Sequence, residues 1–305
     1  LPENKPIIIL FGPTASGKSS LAMSVASKID AVIINCDSKQ LYKEIPIITA
    51  QPTEDEKNLI THEMYGVISV SEHCSVGRWL DMVKPVIKRA WAKGKIPMLV
   101  GGTGMYIKYL TQGIPQMPDI EEGIRQQVRR QTAKEGSEAV YAKLDDAMRR
   151  KLEPSDRQRV ARAYEVLLQT GKSLAYWQEQ PTIPVFNDAV YHKFFLSPDR
   201  QKVYENCNIR FDKMIGEGVL EEMENLQKMN LSDELPSMKS HGVPELLAYL
   251  KGDMNIEDAI EQAKRNTRHY IKRQFTWFRG QMSDAYALKS DSPENEMMSV
   301  LTDNL

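Results

Sequence analysis

The stretch IIILFGPTASGKSSLAMSVASKI, residues 7–29, decides how the rest of the chain is read. Ile7–Phe11 is an apolar run of strand length, and from Ser19 onward Leu21, Val25 and Ile29 fall on one face of a helix. Between them Gly12, Pro13, Thr14, Ala15, Ser16, Gly17, Lys18 and Ser19 fit the pattern G-x-x-x-x-G-K-[ST]. In a strand–loop–helix setting the glycines permit backbone conformations that turn several N–H groups inward. The helix N-terminus adds the positive end of its dipole, Lys18 adds a charge, and the Ser19 hydroxyl can ligate Mg²⁺. Such a loop binds phosphates. It does not say whose: a kinase, a GTPase and a pyrophosphate-releasing transferase can all use it. No NKxD-type guanine-reading segment follows, which disfavours a GTPase. The later run Ile96–Val100 leads into Gly-Gly-Thr-Gly rather than an acid placed like a Walker B aspartate.

Working outward, Ala31–Ile34 reads as a second strand and Trp79–Lys93 as a helix carrying Leu80, Val83, Ile87 and Trp91. Gly94 ends that helix, and Ile96–Val100 is a further buried strand. Strands alternating with helices imply βαβ units and a parallel sheet covered on both faces, an α/β fold. From about Pro115 the texture changes. Asp119–Gln178 is charged and helical in pattern, with a helix start at Ser155 or Asp156 and a stop at Gly171. Ala189–Leu196 then resumes the strand pattern, and helices dominate Arg200–Gly280. The expected organisation is a P-loop α/β core from 1–116 and 188–305, with C-terminal helices, interrupted by a helical insertion over 117–187. The polar tail Ser290–Leu305 is expected to be loosely held.

Composition narrows the class. The chain has 305 residues, 40 Lys+Arg against 41 Asp+Glu and a formal charge of −1, so it is not a uniformly basic nucleic-acid binder. Cys36, Cys74 and Cys207 are widely spaced with no CxxC pair, which excludes a disulfide framework and fits a reducing cytosol. No apolar run approaches the roughly 18 residues of a membrane span. The opening LPENKP shows no basic lead into a long apolar stretch, so no signal peptide is expected and the localisation expected is cytoplasmic.

Two strand ends carry further chemistry. The second strand runs into Asn35, Cys36, Asp37, Ser38, Lys39 and Gln40, at the C-terminal edge where parallel α/β sheets bind ligands. Asp37 there is a candidate general base or Mg²⁺ ligand; the alternative is that it caps a helix beginning near Gln40. The strand Ile96–Val100 ends in Gly101, Gly102, Thr103 and Gly104, bringing backbone N–H groups and one hydroxyl to the same edge.

Taken together, GPTASGKS (12–19), Asp37-Ser38-x-Gln40-x-Tyr42, TAQPT (49–53) and LVGGTGMYIK (99–108) resemble the tRNA dimethylallyltransferases, or tRNA isopentenyltransferases. The resemblance continues through RQRVARAYEVLLQTGKSL (157–174), the block opening at Arg210, HGVPELLAYLKG (241–252) and RNTRHYIKRQFTWFR (265–279), and covers about 270 residues. It implies a core related to nucleotide kinases and transfer of a dimethylallyl group from dimethylallyl diphosphate to N6 of adenine 37 in the tRNA anticodon stem-loop. Lys18, the loop N–H groups, Mg²⁺ on Ser19 and Arg210 would hold the diphosphate. Asp37 would take the N6 proton, and Thr103 would bond near the bridging oxygen or seat the adenine. The adenine must leave its stack to reach such a site.

The resemblance also implies a tRNA surface drawn from Asp37, Ser38, Lys39, Gln40, Thr103, Lys239 and the C-terminal helix. Lys264–Arg279 holds six Lys+Arg and no acid. As a helix it places Arg265, Arg268, Lys272 and Arg279 on one stripe and Ile271, Phe275 and Phe278 on another, with Arg273 a further contact. Gln158, Arg159 and Arg162 are a second candidate contact in the insertion. His62 and Trp177 are expected to serve the core or surface. Departures from the family pattern are Lys39, Ile48, Thr61 and Asn206, and the lack of a zinc-finger segment points to a bacterial-type member. No obligate protein partner is implied. The rival readings are an ATP-dependent small-molecule kinase and a non-catalytic RNA-binding protein.

Overall fold

The computed structural model describes residues 5–302. The first half of the core runs β1 (Lys5–Phe11), α1 (Lys18–Ile29), β2 (Ala31–Asn35), α2 (Glu54–Leu59), β3 (His62–Glu63), α3 (Val76–Ala92), β4 (Ile96–Gly101) and α4 (Gly104–Gln112). Short helices follow: α5 (Glu122–Glu135), α6 (Ser137–Tyr141), α7 (Asp146–Arg149), α8 (Arg157–Thr170) and α9 (Leu174–Gln178). The chain then continues with β5 (Ala189–Leu196), α10 (Arg200–Gly216), α11 (Val219–Lys228), α12 (Val243–Lys251), α13 (Ile256–Gln281), β6 (Tyr286–Leu288) and α14 (Pro293–Thr302).

Among the described residues the strands form one sheet in the order β3-β2-β4-β1-β5-β6, with every pairing parallel. Because strand side chains alternate, β1 feeds two cores at once. Ile7, Ile9 and Phe11 join the cluster packed under α3, α4 and the helices α10–α13. Ile8 and Leu10 join the opposite cluster under α1 and α14. Burial on both faces explains why this strand reads as an unbroken apolar run.

The chain divides into two compact units. One runs to Thr111 and resumes at Val185; the other is Gln112–Pro184. The second unit has its own small core of Val140, Leu144, Met148, Val160, Ala163 and Ala175. Its α8 begins at an Asp156 cap, whose side chain accepts from the Arg159 N–H, and ends at Gly171 in the left-handed conformation. Asp156, not Ser155, is the cap.

Two expectations are corrected, and two short strands were not foreseen. No helix begins after Asp37, where the chain makes turns through residue 50, so the capping role has nothing to cap. The tail is not loose over its described part: α14 buries Met297 and Leu301 against α1 and the sheet. The short strands β3 and β6 carried no sequence signal, at two and three residues each. Residues 1–4 of the opening segment and residues 303–305 of the tail lie outside the described residues. Among the described residues no helix is long and apolar enough to cross a membrane.

Candidate active site

The phosphate loop leaves β1 at Gly12, where a methyl group would sit 2.5 Å from the Leu196 carbonyl oxygen on β5, so only glycine fits. Ala15 and Gly17 adopt positive φ (61° and 92°), which turns successive N–H groups toward one concavity. Gly17 caps α1 without a side-chain acceptor, leaving the first N–H groups of the helix facing that concavity. Ser16 Oγ is buried without a partner among the described residues, Lys18 Nζ donates to the Pro13 carbonyl at 2.6 Å, and Ser19 is exposed at the helix start.

Arg210 reaches this loop from α10, its Nη2 donating to Thr14 Oγ1 at 2.6 Å. The sequence separation is 196 residues, yet the two positions expected to share the diphosphate are hydrogen-bonded neighbours. Burial lowers the pKa of Arg210, and Lys18 is brought down to about 7, chiefly by burial and further by Arg210, with Asp37 pulling the other way. Both cations are therefore desolvated, which strengthens their pull on a phosphate.

Asp37 sits where β2 ends. Its Oδ1 accepts from the Lys39 N–H at 2.9 Å in a local turn. Asn35, fully buried, holds the Asp37 backbone from both sides: its Oδ1 accepts from the Asp37 N–H at 2.7 Å, and its Nδ2 donates to the Asp37 carbonyl and the Met64 carbonyl, each at 3.0 Å. The Ser38 N–H donates to Thr103 Oγ1 at 2.9 Å, and the Thr103 N–H donates to the Cys36 carbonyl. Thr103 thus pins the Asp37 turn to the end of β4. Only glycine fits at position 101, because a side chain there would collide with the Cys36 backbone.

A cavity of about 930 Å³ opens between these elements and is lined by Lys18, Ser19, Asp37, Gln40, Asn206 and Arg210 among others. Some expected tRNA contacts have prior commitments. Gln40 Nε2 donates to the Thr49 and Ala50 carbonyls, which fastens the TAQPT loop, and Lys39 Nζ donates to the Pro236 carbonyl. Lys39 is brought down to about 8 by burial and Lys239, against the pull of Asp37. Lys239 itself is ion-paired with Glu234.

On α13 the basic stripe is narrower than its composition. Lys264 is buried and pairs with Asp212 and Glu261, and Arg268 Nη1 donates to Asn208 Oδ1. Arg265, Lys272, Arg273 and Arg279 are exposed, Arg273 standing over the Tyr270 ring. Ile271, Phe275 and Phe278 are buried as the apolar anchor. In the other unit Gln158 and Arg159 are exposed on α8, while Arg162 pairs with Glu165. His62 Nδ1 donates to the Ile60 carbonyl in its own segment, and Trp177 Nε1 donates to Thr170 Oγ1. The departure at Ile48 has a packing reason: its Cδ1 lies over Gly242.

Sequence reasoning missed Gln274 and the pair His241–Tyr270. Gln274 Oε1 accepts from the Thr14 N–H at 2.9 Å, and its Nε2 donates to the Gly102 carbonyl at 3.0 Å, tying the phosphate loop to the end of β4. Its signal was a lone polar residue on the apolar face between Ile271, Phe275 and Phe278. The His241 and Tyr270 rings lie 4.3 Å apart. Burial and the nearby Lys39, Arg273 and Arg210 hold His241 down at about 4, so its ring is neutral near pH 7. Burial and Asp37 push the Tyr270 phenol up.

The family model described as IPP transferase matches residues 40–281, and that described as isopentenyl transferase matches residues 5–65. The tRNA dimethylallyltransferase of Ehrlichia canis is 44% identical over 283 residues, 92% of this chain and 93% of the relative. That of Nitrobacter hamburgensis is 39% identical over 297 residues, 96% and 94% of the two chains. Among solved structures, the tRNA isopentenylpyrophosphate transferase of Bacillus halodurans superposes with a TM-score of 0.71 at 28% identity, covering 98% of this chain and 96% of that one. A eukaryotic dimethylallyltransferase solved acting on tRNA gives a TM-score of 0.80 at 28% identity, covering 94% and 74%. With a phosphate loop, a sheet-edge carboxylate and these relatives in agreement, the chain belongs to the IPP transferase family.

Proposed function

We propose that this protein transfers the dimethylallyl group of dimethylallyl diphosphate to N6 of adenine 37 in tRNA, releasing diphosphate, in the cytoplasm. The observation that carries the reading is the single cavity in which Asp37 faces the phosphate loop, Lys18 and Arg210. An exocyclic adenine amine is a weak nucleophile, its lone pair drawn into the ring. As the N6–C1 bond forms and the C1–O bond breaks, the electron pair leaves with the diphosphate. Lys18, Arg210 and the loop N–H groups stabilise that charge, and the Asp37 carboxylate takes the N6 proton. Thr103 and Asn35 keep the Asp37 turn in place for that transfer.

Mg²⁺ fits the loop as a substrate-borne ion. Among the described residues no cluster of three or more His, Cys, Asp or Glu could cage a metal, whereas Ser19 offers one exposed hydroxyl beside the diphosphate position. Bound there, Mg²⁺ would neutralise part of the diphosphate charge. The test is transfer of labelled dimethylallyl group to tRNA with and without Mg²⁺. Mg²⁺-dependent labelling of N6 is the expected result. Phosphorylation of a small acceptor by ATP, with no prenyl transfer, would overturn the reading in favour of a kinase.

A further inference from the structure

Besides the phosphate loop, the active-site cavity is lined by the segment 46–53, which contributes Pro46, Ile47, Thr49, Ala50 and Pro52. This segment forms neither helix nor strand, and its shape is fixed from outside. Glu222, on α11, is buried and reaches it with both carboxylate oxygens. Oε2 accepts from the Ile47 N–H at 2.7 Å and Oε1 from the Ile48 N–H at 2.9 Å. Burial pushes the pKa of Glu222 up and these two N–H groups hold it down, with no cation paired to it among the described residues. The Ile48 side chain is buried over Gly242, Gln40 Nε2 holds the Thr49 and Ala50 carbonyls, and Gln51 Nε2 donates to the Tyr42 carbonyl at 2.7 Å. Ala50 is kept at a φ of 53°, in the left-handed region that residues other than glycine rarely enter. Such strain persists only where the surroundings over-determine the backbone, and it concentrates at ligand sites.

We infer that Glu222 is a positioning residue for the allylic donor: by holding the backbone of the 46–53 loop, it fixes the apolar wall against which the dimethylallyl tail packs. The inference rests on the transferase reading above. Lys18, Arg210 and the phosphate-loop N–H groups hold the diphosphate end of the donor, but the carbons beyond C1 carry no polar atom. Only van der Waals contact can orient them, and a gap of about 0.5–1 Å already forfeits a quarter to a half of that contact. The wall must therefore be held still. Ile45 and Ile48 are buried in the core, while Ile47 between them is half-buried and lines the cavity, beside Pro46, Ala50 and Pro52. The two N–H groups that Glu222 accepts belong to Ile47 itself and to its buried neighbour, so the clamp acts where the loop turns from core to cavity. A carboxylate suits this task because it offers one acceptor to each N–H. A side-chain amide offers a single acceptor and would turn its own N–H groups against the second donor.

The test separates the tail of the donor from its diphosphate. Wild type, Glu222→Gln, Ile47→Ala and the double variant are titrated calorimetrically with dimethylallyl diphosphate and with inorganic diphosphate, with circular dichroism as the folding control. In each single variant the ratio of the two affinities, donor over diphosphate, should fall by about 5- to 30-fold, while the affinity for diphosphate stays within about twofold of wild type. The double variant should lose less than the product of the two single losses, because both changes act on one contact. Equal weakening of both ligands in folded Glu222→Gln overturns the inference, since Glu222 would then serve only the stability of the fold. Ile47→Ala changes the wall and leaves the clamp in place. An unchanged ratio in that variant overturns the inference too, and does so even if Glu222→Gln does not fold. Failure of wild-type protein to prenylate tRNA is a separate outcome and falls on the functional reading instead.

Discussion

The side chain of Asn35 holds the backbone of Asp37 by both its N–H and its carbonyl, at 2.7 and 3.0 Å. A buried amide two residues before the carboxylate thereby fixes the turn that aims it. Asn35→Ala leaves the Asp37 and Met64 backbone groups without these partners, which costs about 1–3 kcal/mol of stability. Displacing a base by as little as an ångström lowers the rate by about 10². Single-turnover transfer should fall by that order while tRNA affinity holds; a rate within twofold of wild type in the folded variant would sink the positioning role.

Asp37→Asn keeps an oxygen to accept the Lys39 N–H, so the turn and the melting temperature should persist. What disappears is the base. Positioned bases contribute about 10²–10⁴ in rate, and single-turnover transfer at saturating substrates measures the loss directly. A fall of less than about tenfold removes Asp37 from the proton-transfer step.

The sheet and the phosphate loop were legible because their signals are local. Ile7–Phe11 is buried on both faces, and the pattern from Gly12 to Ser19 is dictated by a backbone that must approach phosphate. Asp37 and Thr103 could be placed at one edge from strand order alone. The clamps could not. Gln274 bonds to Thr14 across 260 residues and to Gly102 across 172, and Asn35 is one more residue of a strand until its partners are known. Charge counting misled in the same way on α13: Lys264 and Arg268 look like part of a basic face, but Asp212 and Asn208, on α10, claim them. The end of the chain was misjudged because Met297 and Leu301, its buried anchors, stand in a largely polar stretch, and the surface that buries them comes from α1 and the sheet.

Lys18 predicts opposite pH trends for stability and for binding. Its pKa in the folded protein is about 7, against 10.5 as a free side chain, chiefly through burial. Between those values the unfolded chain binds more protons, so folding stability rises with pH across this window as the penalty for a buried charge is relieved. Diphosphate binding needs the charged form. Its affinity should therefore fall as pH rises from about 7 to 9, approaching tenfold per pH unit. Titrating dimethylallyl diphosphate by calorimetry in buffers of different ionisation enthalpy should reveal proton uptake. Lys18→Ala should bind more weakly and lose both the uptake and its share of the pH dependence. A pH-independent affinity across this range in the wild type contradicts the lowered pKa.

Gln274 and Gly102 supply the last prediction. Gln274→Leu retains much of the bulk but leaves the Thr14 N–H and the Gly102 carbonyl without their partner, at a cost of about 1–3 kcal/mol. Gly102→Ala reaches the same contact from the other side: a methyl group there would sit 2.5 Å from Gln274 Nε2 and 3.3 Å from Asp37 Oδ2. The amide must be displaced, and the carboxylate is crowded as well. Both variants should raise the KM for dimethylallyl diphosphate, because the phosphate loop loses its brace. Only Gly102→Ala should also depress kcat strongly, because only it touches the base. Since both break one contact, the double variant should lose clearly less stability than the two single losses added together. Chemical denaturation of the four proteins gives the comparison. Strict additivity would mean that the Gln274 amide moves aside without losing its bonds, and the brace would have to be sought in the Arg210–Thr14 contact instead.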